Sequence, residues 1–128
     1  MRERRGEIIP LDDLDHTEHA HELVGAEHGD VPFCLILVHS APGVGPKLHR
    51  HPYAEVFLVE EGEATFCIGA EEVVVGSGHV VVSPADEPHG FTNTGDGTLR
   101  VVTIHGAPRF STEWLAGDDP TWTSPPRD

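Results

Sequence analysis

Short runs of β-branched and aromatic residues, separated by turn-forming residues about every ten positions, recur along most of this chain. The runs cover residues 33–38, 54–60, 64–68, 73–75, 80–82 and 99–104. Glu61-Gly62-Glu63 and Gly76-Ser77-Gly78 are typical of tight turns between strands. Residues 33–38, a continuous apolar run after Pro32, resemble a strand buried on both faces. We therefore predict an all-β, antiparallel sandwich or barrel.

Helical signals are scarce and lie near the two ends. Residues 10–14 could hold one helical turn, and residues 111–115 another, capped by Ser111 and ended by Gly117. The chain has 128 residues, which suits one domain. We expect an N-terminal arm with a possible edge strand at 1–30, a barrel at 31–110, and a C-terminal turn with a loose tail at 111–128.

The charge balance argues against two classes of partner. Eight Lys and Arg residues stand against 22 Asp and Glu residues, for a formal net charge of −14. This sign repels phosphate backbones and anionic lipid surfaces. There is no apolar stretch long enough for a membrane-spanning helix, and no apolar segment follows the basic N-terminus to form a secretory signal. We expect no nucleic-acid or membrane partner.

The two cysteines, Cys34 and Cys67, lie in apolar strand-like runs and form no C-x-x-C motif. They are interpreted as buried thiols of a cytoplasmic protein, with a single disulfide as the alternative.

Ten histidines are an unusual number for this length, and some of them cluster with a carboxylate. His49, His51 and Glu55 are all odd-numbered, so they share one face if the segment is extended, as Pro52 favours. His89, with Asn93 in phase, follows a proline-rich turn in a second segment. A lone histidine is usually a surface residue, but three histidines and a carboxylate inside a small barrel would be costly to leave unpaired. They predict a metal site.

These segments resemble the two motifs of the cupin superfamily. The first motif, G-x5-H-x-H-x3-E-x6-G, is matched in full by Gly43, His49, His51, Glu55 and Gly62. The second, G-x5-P-x-G-x2-H-x3-N, is matched by Gly78, Pro84, His89 and Asn93. Asp86 stands where the second motif has glycine, a substitution that a turn tolerates because aspartate adopts turn conformations readily. The resemblance covers residues 33–104.

The resemblance implies a fold and a ligand set. The fold would be a double-stranded β-helix, or jelly-roll, barrel with a mononuclear metal near its mouth. The ligands would be His49, His51, Glu55 and His89, and the metal a divalent transition ion such as Zn, Ni, Fe or Mn. Because cupins commonly dimerise by sheet packing, and because Val56 and Leu58 make the face opposite Glu55 apolar, we also expect a homodimer.

Other residues are weaker candidates for the pocket. Phe57 and Phe66, with Val59 and Ile68, suggest an apolar cavity wall, and Tyr53 shares the phase of the ligands. His39 and His105 each end an apolar run, but the alternation of side chains along a strand does not decide whether they point inward. His16, His19, His21 and His28 lie among acidic residues and suggest a solvated surface, although His21 could face the barrel if 20–24 is a strand.

Two functions remain open. The first is an enzyme, a metal-dependent oxygenase, isomerase or lyase that acts on a small, partly apolar molecule. The second is a non-catalytic barrel that binds a small ligand or the metal alone. A general acid or base beyond the four ligands would distinguish them, and the candidates are His39, His105, Tyr53 and Glu60.

Overall fold

The computed structural model describes residues 6–116, and nearly all of its regular structure is β-strand. The predicted all-β fold is confirmed. The strands are β1 (Asp15–His16), β2 (Ala20–Leu23), β3 (Cys34–Ser40), β4 (His49–Arg50), β5 (Glu55–Glu61), β6 (Glu63–Ile68), β7 (Glu71–Gly76), β8 (His79–Ser83), β9 (His89–Asn93), β10 (Leu99–His105) and β11 (Glu113–Trp114). Two 3₁₀ turns, Leu11–Asp13 and Gly25–Glu27, interrupt them.

The strands form two antiparallel sheets whose inner faces enclose the core. The six-stranded sheet has the order β1-β2-β3-β10-β5-β8, and the five-stranded sheet has the order β11-β4-β9-β6-β7. Consecutive strands often belong to different sheets, as β5 and β6 do, and β7 and β8. This arrangement is the double-stranded β-helix predicted for the chain.

The chain changes sheet at turns in which one residue adopts a left-handed backbone conformation. Gly62, between β5 and β6, has φ +89°, and a Cβ built there would lie 2.7 Å from the carbonyl oxygen of Thr98. Any other residue would therefore strain the backbone and collide with it. Asp86 also adopts a left-handed conformation, with φ +67°, which explains why the second motif favours glycine there and how aspartate replaces it.

Side chains alternate across both sheets, and the inward set forms one core between them. Three phenylalanines are central: the Phe57 and Phe66 ring centroids are 5.2 Å apart, and those of Phe66 and Phe91 are 5.1 Å apart. Phe57 and Phe66 are each 1% exposed, so both belong to the packed interior. Burying an aromatic side chain of this size contributes roughly 1.5–3 kcal/mol.

Both ends of the described chain join the sheets. The one-turn helix predicted at 10–14 is confirmed as a 3₁₀ turn at Leu11–Asp13, and β2 of the N-terminal arm pairs with β3. The helical turn predicted at 111–115 is wrong, because Glu113 and Trp114 pair with β4 instead. The ladder, completed by the Leu115 amide donating to the Leu48 carbonyl oxygen, satisfies backbone groups that one isolated helical turn would leave free. The loose tail predicted for residues 118–128 lies outside the described residues.

Neither 3₁₀ turn in residues 6–116 is long enough to cross a membrane, and no other helix is present in that range.

Candidate metal centre

The four predicted ligands meet inside the barrel. One ligand atom from each of His49, His51, Glu55 and His89 lies within 4.8 Å of the others. All four side chains are buried, with exposed fractions of 6%, 3%, 3% and 2%. The residues come from β4, the segment after it, β5 and β9, so both sheets contribute.

The prediction that these residues share one face of an extended strand is only partly correct. His49 and Glu55 do not lie on one extended strand, because β4 and β5 belong to different sheets. Residues 52–54 carry the chain across between them. The side chains still converge, because both sheets turn their inner faces toward the same interior. His89 completes the group through direct pairing with His49 across β4 and β9.

The polar atoms at the centre of this group face each other without hydrogen bonds. Nε2 of His51 and Nε2 of His89 each lie 3.0 Å from Oε1 of Glu55. None of these three atoms has a hydrogen-bond partner, and all are shielded from solvent. Leaving each one unsatisfied would cost about 1–3 kcal/mol. A cation at this point would satisfy all three, so the donor set fits a divalent transition metal.

The other nitrogen of each histidine is fixed by the surrounding protein. Nδ1 of His49 donates to the Lys47 carbonyl oxygen at 2.6 Å, and Nδ1 of His51 donates to that of Ser111 at 2.9 Å. Since a carbonyl can only accept, the proton of each neutral ring sits on Nδ1 and the lone pair on Nε2. Nδ1 of His89 lies 2.8 Å from Ser83 Oγ. These contacts orient the rings for metal binding before any metal arrives.

His105 and Tyr53, two of the predicted pocket residues, lie beside Glu55. Nε2 of His105 is 3.0 Å from Oε2 of Glu55, whereas His51 and His89 contact Oε1. Nδ1 of His105 is 2.9 Å from the Tyr53 hydroxyl, which also accepts a hydrogen bond from the Ser111 amide at 3.4 Å. The pair therefore contacts the second carboxylate oxygen of Glu55, and both of its rings also pack against His51, with centroids 4.9 Å away.

Burial and charge set the ionisation of the centre. Burial opposes ionisation of Glu55, but its interactions with His105, and then with His51 and His89, hold the pKa of its carboxyl well below the ordinary value. Burial, with the nearby His89, lowers the pKa of His49 to about 3. Burial raises the pKa of Tyr53. At neutral pH the centre thus offers a carboxylate and a neutral His49 imidazole, the forms that bind metal.

Aromatic rings surround the histidines. The Trp114 ring centroid is 4.7 Å from that of His49, Tyr53 stacks on His51 at 4.9 Å, and Phe110 lies 4.8 Å from His105. Phe57 lies 5.5 Å from His89. Sequence reasoning missed Trp114 and Phe110, since their positions depend on how the chain after β10 returns to the barrel.

Some predicted candidates lie elsewhere. His39 is on the outer face of β3 and contacts His21, so the structure does not bring it into the pocket. Glu60 is exposed, and Phe66 packs one layer deeper, between Phe57 and Phe91. β2 does form, but Ala20 points into the core and His21 points outward. Asn93 donates to the carbonyl oxygens of Ser40 and Gly97, which makes it a structural residue.

Ser83→Ala should weaken metal binding by about tenfold, because His89 loses the partner that orients its ring. Ser40→Ala is the matched control: both serines are completely buried, and Ser40 Oγ has no hydrogen-bond partner. Titration of each metal-free variant with Zn²⁺ measures the effect. Equal affinities for the two variants would contradict the assigned role of Ser83.

A β-sandwich closed around a buried three-histidine, one-carboxylate group defines the class of metal-binding double-stranded β-helix proteins. A family model, described as Cupin domain, matches residues 36–105, more than half of the chain. The chain belongs to the cupin domain family, as its two motifs predicted. A search of curated proteins found no match.

Solved structures share the fold. A Klebsiella pneumoniae protein described as an uncharacterized conserved protein with a double-stranded beta-helix domain is 16% identical, with a TM-score of 0.67 over 85% of this chain and 96% of its own. The plu4264 protein of Photorhabdus luminescens is 23% identical, with a TM-score of 0.62 over 80% of this chain and 88% of its own. Bacillus subtilis oxalate decarboxylase, which has Mn(II) centres, is 20% identical, with a TM-score of 0.72 over 90% of this chain. The match covers only 35% of the decarboxylase.

Proposed function

We propose that this cupin uses one divalent transition metal, held by His49, His51, Glu55 and His89, to bind and transform a small, partly apolar molecule. The observation that carries the proposal is the set of buried, unsatisfied donor atoms that face each other at the centre. When bound, the metal would supply Lewis-acid polarisation of a ligand oxygen or a site for dioxygen.

The protein's own residues suggest how such a molecule would be held. Tyr53 and Trp114 present aromatic surface close to His51 and His49, and Phe110 packs on His105, which favours a molecule with an apolar part. His105 and Tyr53 are linked to each other and to Glu55, so they are the groups best placed to hold or move a proton beside the centre. Both are buried, which keeps bulk water away from them.

The second candidate is a barrel that binds a small ligand without catalysis. It is favoured by the scarcity of acid–base groups: outside the four ligands, His105 and Tyr53 are the only two of the sequence-predicted candidates that lie at the centre in the described part of the chain. Oxalate decarboxylase shares the fold, and its substrate suggests small carboxylates as the first compounds to test.

The two candidates are distinguished by turnover. The metal-free protein is loaded separately with Zn, Ni, Fe or Mn and screened with small carboxylates and aromatic acids, with ligand binding, product formation and oxygen uptake measured together. Metal-dependent turnover that is lost in His51→Ala and reduced in His105→Leu supports the enzyme. Ligand binding without turnover supports the binding module, and a group of four side chains that holds no metal contradicts the enzyme.

We also propose that a second copy of the chain covers the outer face of the six-stranded sheet. Leu58, Val80, Val82 and Ile104 lie on three adjacent strands of this face and are 38%, 59%, 61% and 40% exposed. Two copies related by a two-fold axis would bury the same apolar patch on each. Because each chain has a net charge of −14, two copies repel each other wherever charged residues meet, so an uncharged patch is the surface that favours contact.

Val82→Asp should therefore convert a dimer into a monomer. Val74→Asp is the matched control, because Val74 is also 61% exposed but lies on β7 of the other sheet. Light scattering should give twice the 13.9 kDa chain mass for the wild type and the control. A monomer mass for the wild type at micromolar concentration would contradict the proposal.

We propose that the protein resides in a reducing compartment such as the cytoplasm. Both cysteines are free thiols, Cys34 buried and Cys67 half-buried, which supports this placement.

A further inference from the structure

A second group of metal-binding side chains lies on the N-terminal arm, on the outer surface of the six-stranded sheet. One ligand atom from each of Asp12, His16 and His21 lies within 4.8 Å of the others. The three residues come from the first 3₁₀ turn, β1 and β2, and β1 and β2 pair through His16 and His21. None of them belongs to the centre inside the barrel.

The two histidines already present one nitrogen each toward a common point. Nδ1 of His16 donates to the Leu14 carbonyl oxygen at 2.8 Å, which leaves the lone pair of the neutral ring on Nε2. Nε2 of His21 lies 3.1 Å from Oδ1 of Asp12. The two ring centroids are 5.0 Å apart. Two imidazole nitrogens and one carboxylate oxygen in this arrangement form a three-ligand set with room for water.

His39 contacts the other side of His21. Its Nε2 lies 3.1 Å from Nδ1 of His21. A neutral His39 can accept the proton of His21 Nδ1, which turns the lone pair of His21 Nε2 toward Asp12 and His16. This is the arrangement by which an outer residue orients a metal-binding histidine.

We propose that Asp12, His16 and His21 bind a Zn²⁺ ion, with His39 as a positioning residue behind His21. Zn²⁺ suits two imidazoles and a carboxylate, and the 87% exposure of the Asp12 side chain leaves space for a water molecule as fourth ligand. The bound ion links the first 3₁₀ turn and β1 to β2, and through β2 to the barrel. Its role is to hold the N-terminal arm in place.

Zinc stoichiometry tests the site separately from the barrel centre. The metal-free full-length protein is dialysed against micromolar Zn²⁺, and its bound zinc is measured. We expect about two equivalents in the wild type, about one in His16→Gln and about one in His51→Ala. His28→Gln is the matched control, since His28 also contacts a carboxylate, Glu7 at 2.8 Å, but lies outside the group, and it should retain about two.

Other zinc stoichiometries would distinguish the arm site from the barrel centre. One equivalent in the wild type that disappears in His51→Ala would overturn the arm site and leave the barrel centre standing. Two equivalents in both the wild type and His16→Gln would place the second ion elsewhere and also overturn it. One equivalent that survives His51→Ala but disappears in His16→Gln would support the arm site and contradict the proposed barrel centre.

Amide hydrogen exchange tests the linking role of the zinc ion, and two substitutions of His39 test its positioning role. Zinc should slow exchange at residues 11–16 in the wild type and in His51→Ala, but not in His16→Gln. His39→Leu should weaken zinc binding at the arm by about tenfold, and His39→Gln, which keeps an acceptor, should restore most of it. Unchanged exchange in the arm on adding zinc would contradict the linking role, and equal affinities for the two His39 variants would contradict the positioning role.

Discussion

His51→Ala is expected to lower the metal occupancy of the barrel centre at least about tenfold, beyond any ion held at the N-terminal arm, and to weaken binding there more than Ser83→Ala does. The substitution removes one donor atom from a group of four whose ligand atoms lie within 4.8 Å of one another. It also leaves Oε1 of Glu55 without the nitrogen that lies 3.0 Å away. His51 follows β4 and is outside any strand, so the sheets should still form. Metal analysis after purification without chelator measures the effect.

The control for this variant is His79→Ala. His79 is exposed on β8, and its Nδ1 donates to the Gly76 carbonyl oxygen, far from the centre. It should keep the wild-type metal content. A circular dichroism melt of both variants confirms that each is folded. A folded His51→Ala protein with wild-type metal content would exclude His51 as a ligand.

Removing the metal should lower the free energy of unfolding, and the loss should depend on pH. The folded barrel binds the ion and the unfolded chain does not, so a metal concentration one hundred times the Kd stabilises by about 2.7 kcal/mol. Protons compete for the same nitrogens, so metal retention should fall steeply below about pH 6. Thermal melts with and without chelator from pH 5 to 8 measure the coupling. A melting temperature unaffected by chelator at pH 8 would contradict a metal that supports the fold.

The chelated protein should also lose stability in acid. The folded-state pKa of His49 is about 3, below its unfolded value of about 6.5, so only the unfolded chain takes up a proton between these values. This contribution to stability is complete above about pH 6.5 and falls by about 1.4 kcal/mol per pH unit below it. Glu55 has a lowered folded-state pKa, so its contribution is lost only in stronger acid, below the measured window. A chelated protein with constant stability from pH 8 to 5 would contradict a buried neutral His49.

Much of this fold was predictable because its strands carry strong local signals. The apolar runs and the Gly62 turn predicted β5, β6 and β10 nearly to their ends. The assignment of strands to sheets was not predictable from the residues, since it depends on pairing between distant segments. Glu113 and Trp114 show the same limit: an isolated S-T-E-W-L segment resembles a helix start, and only the edge of β4 makes it a strand.

The clustering of the four candidate ligands was predictable because the motif spacing is specific, although the reasoning from strand phase was only partly right. His39 and His105 show what was missing. Both end an apolar run, but β3 turns His39 outward while β10 turns His105 inward to Glu55. A shift of one residue in register reverses which face is buried, and sequence alone does not fix that register. Ser83, which supports His89, depends on the β5–β8 pairing that places it opposite Glu55.

The metal centre is tested most directly by a crystal structure of the metal-loaded protein, with anomalous scattering recorded at the edge of the metal. A single anomalous peak should lie inside the barrel, about 2.0–2.3 Å from Nε2 of His49, His51 and His89 and from a carboxylate oxygen of Glu55. An empty barrel in a protein that carries metal elsewhere, or a structure in which Glu55 or His89 faces solvent, would contradict the account.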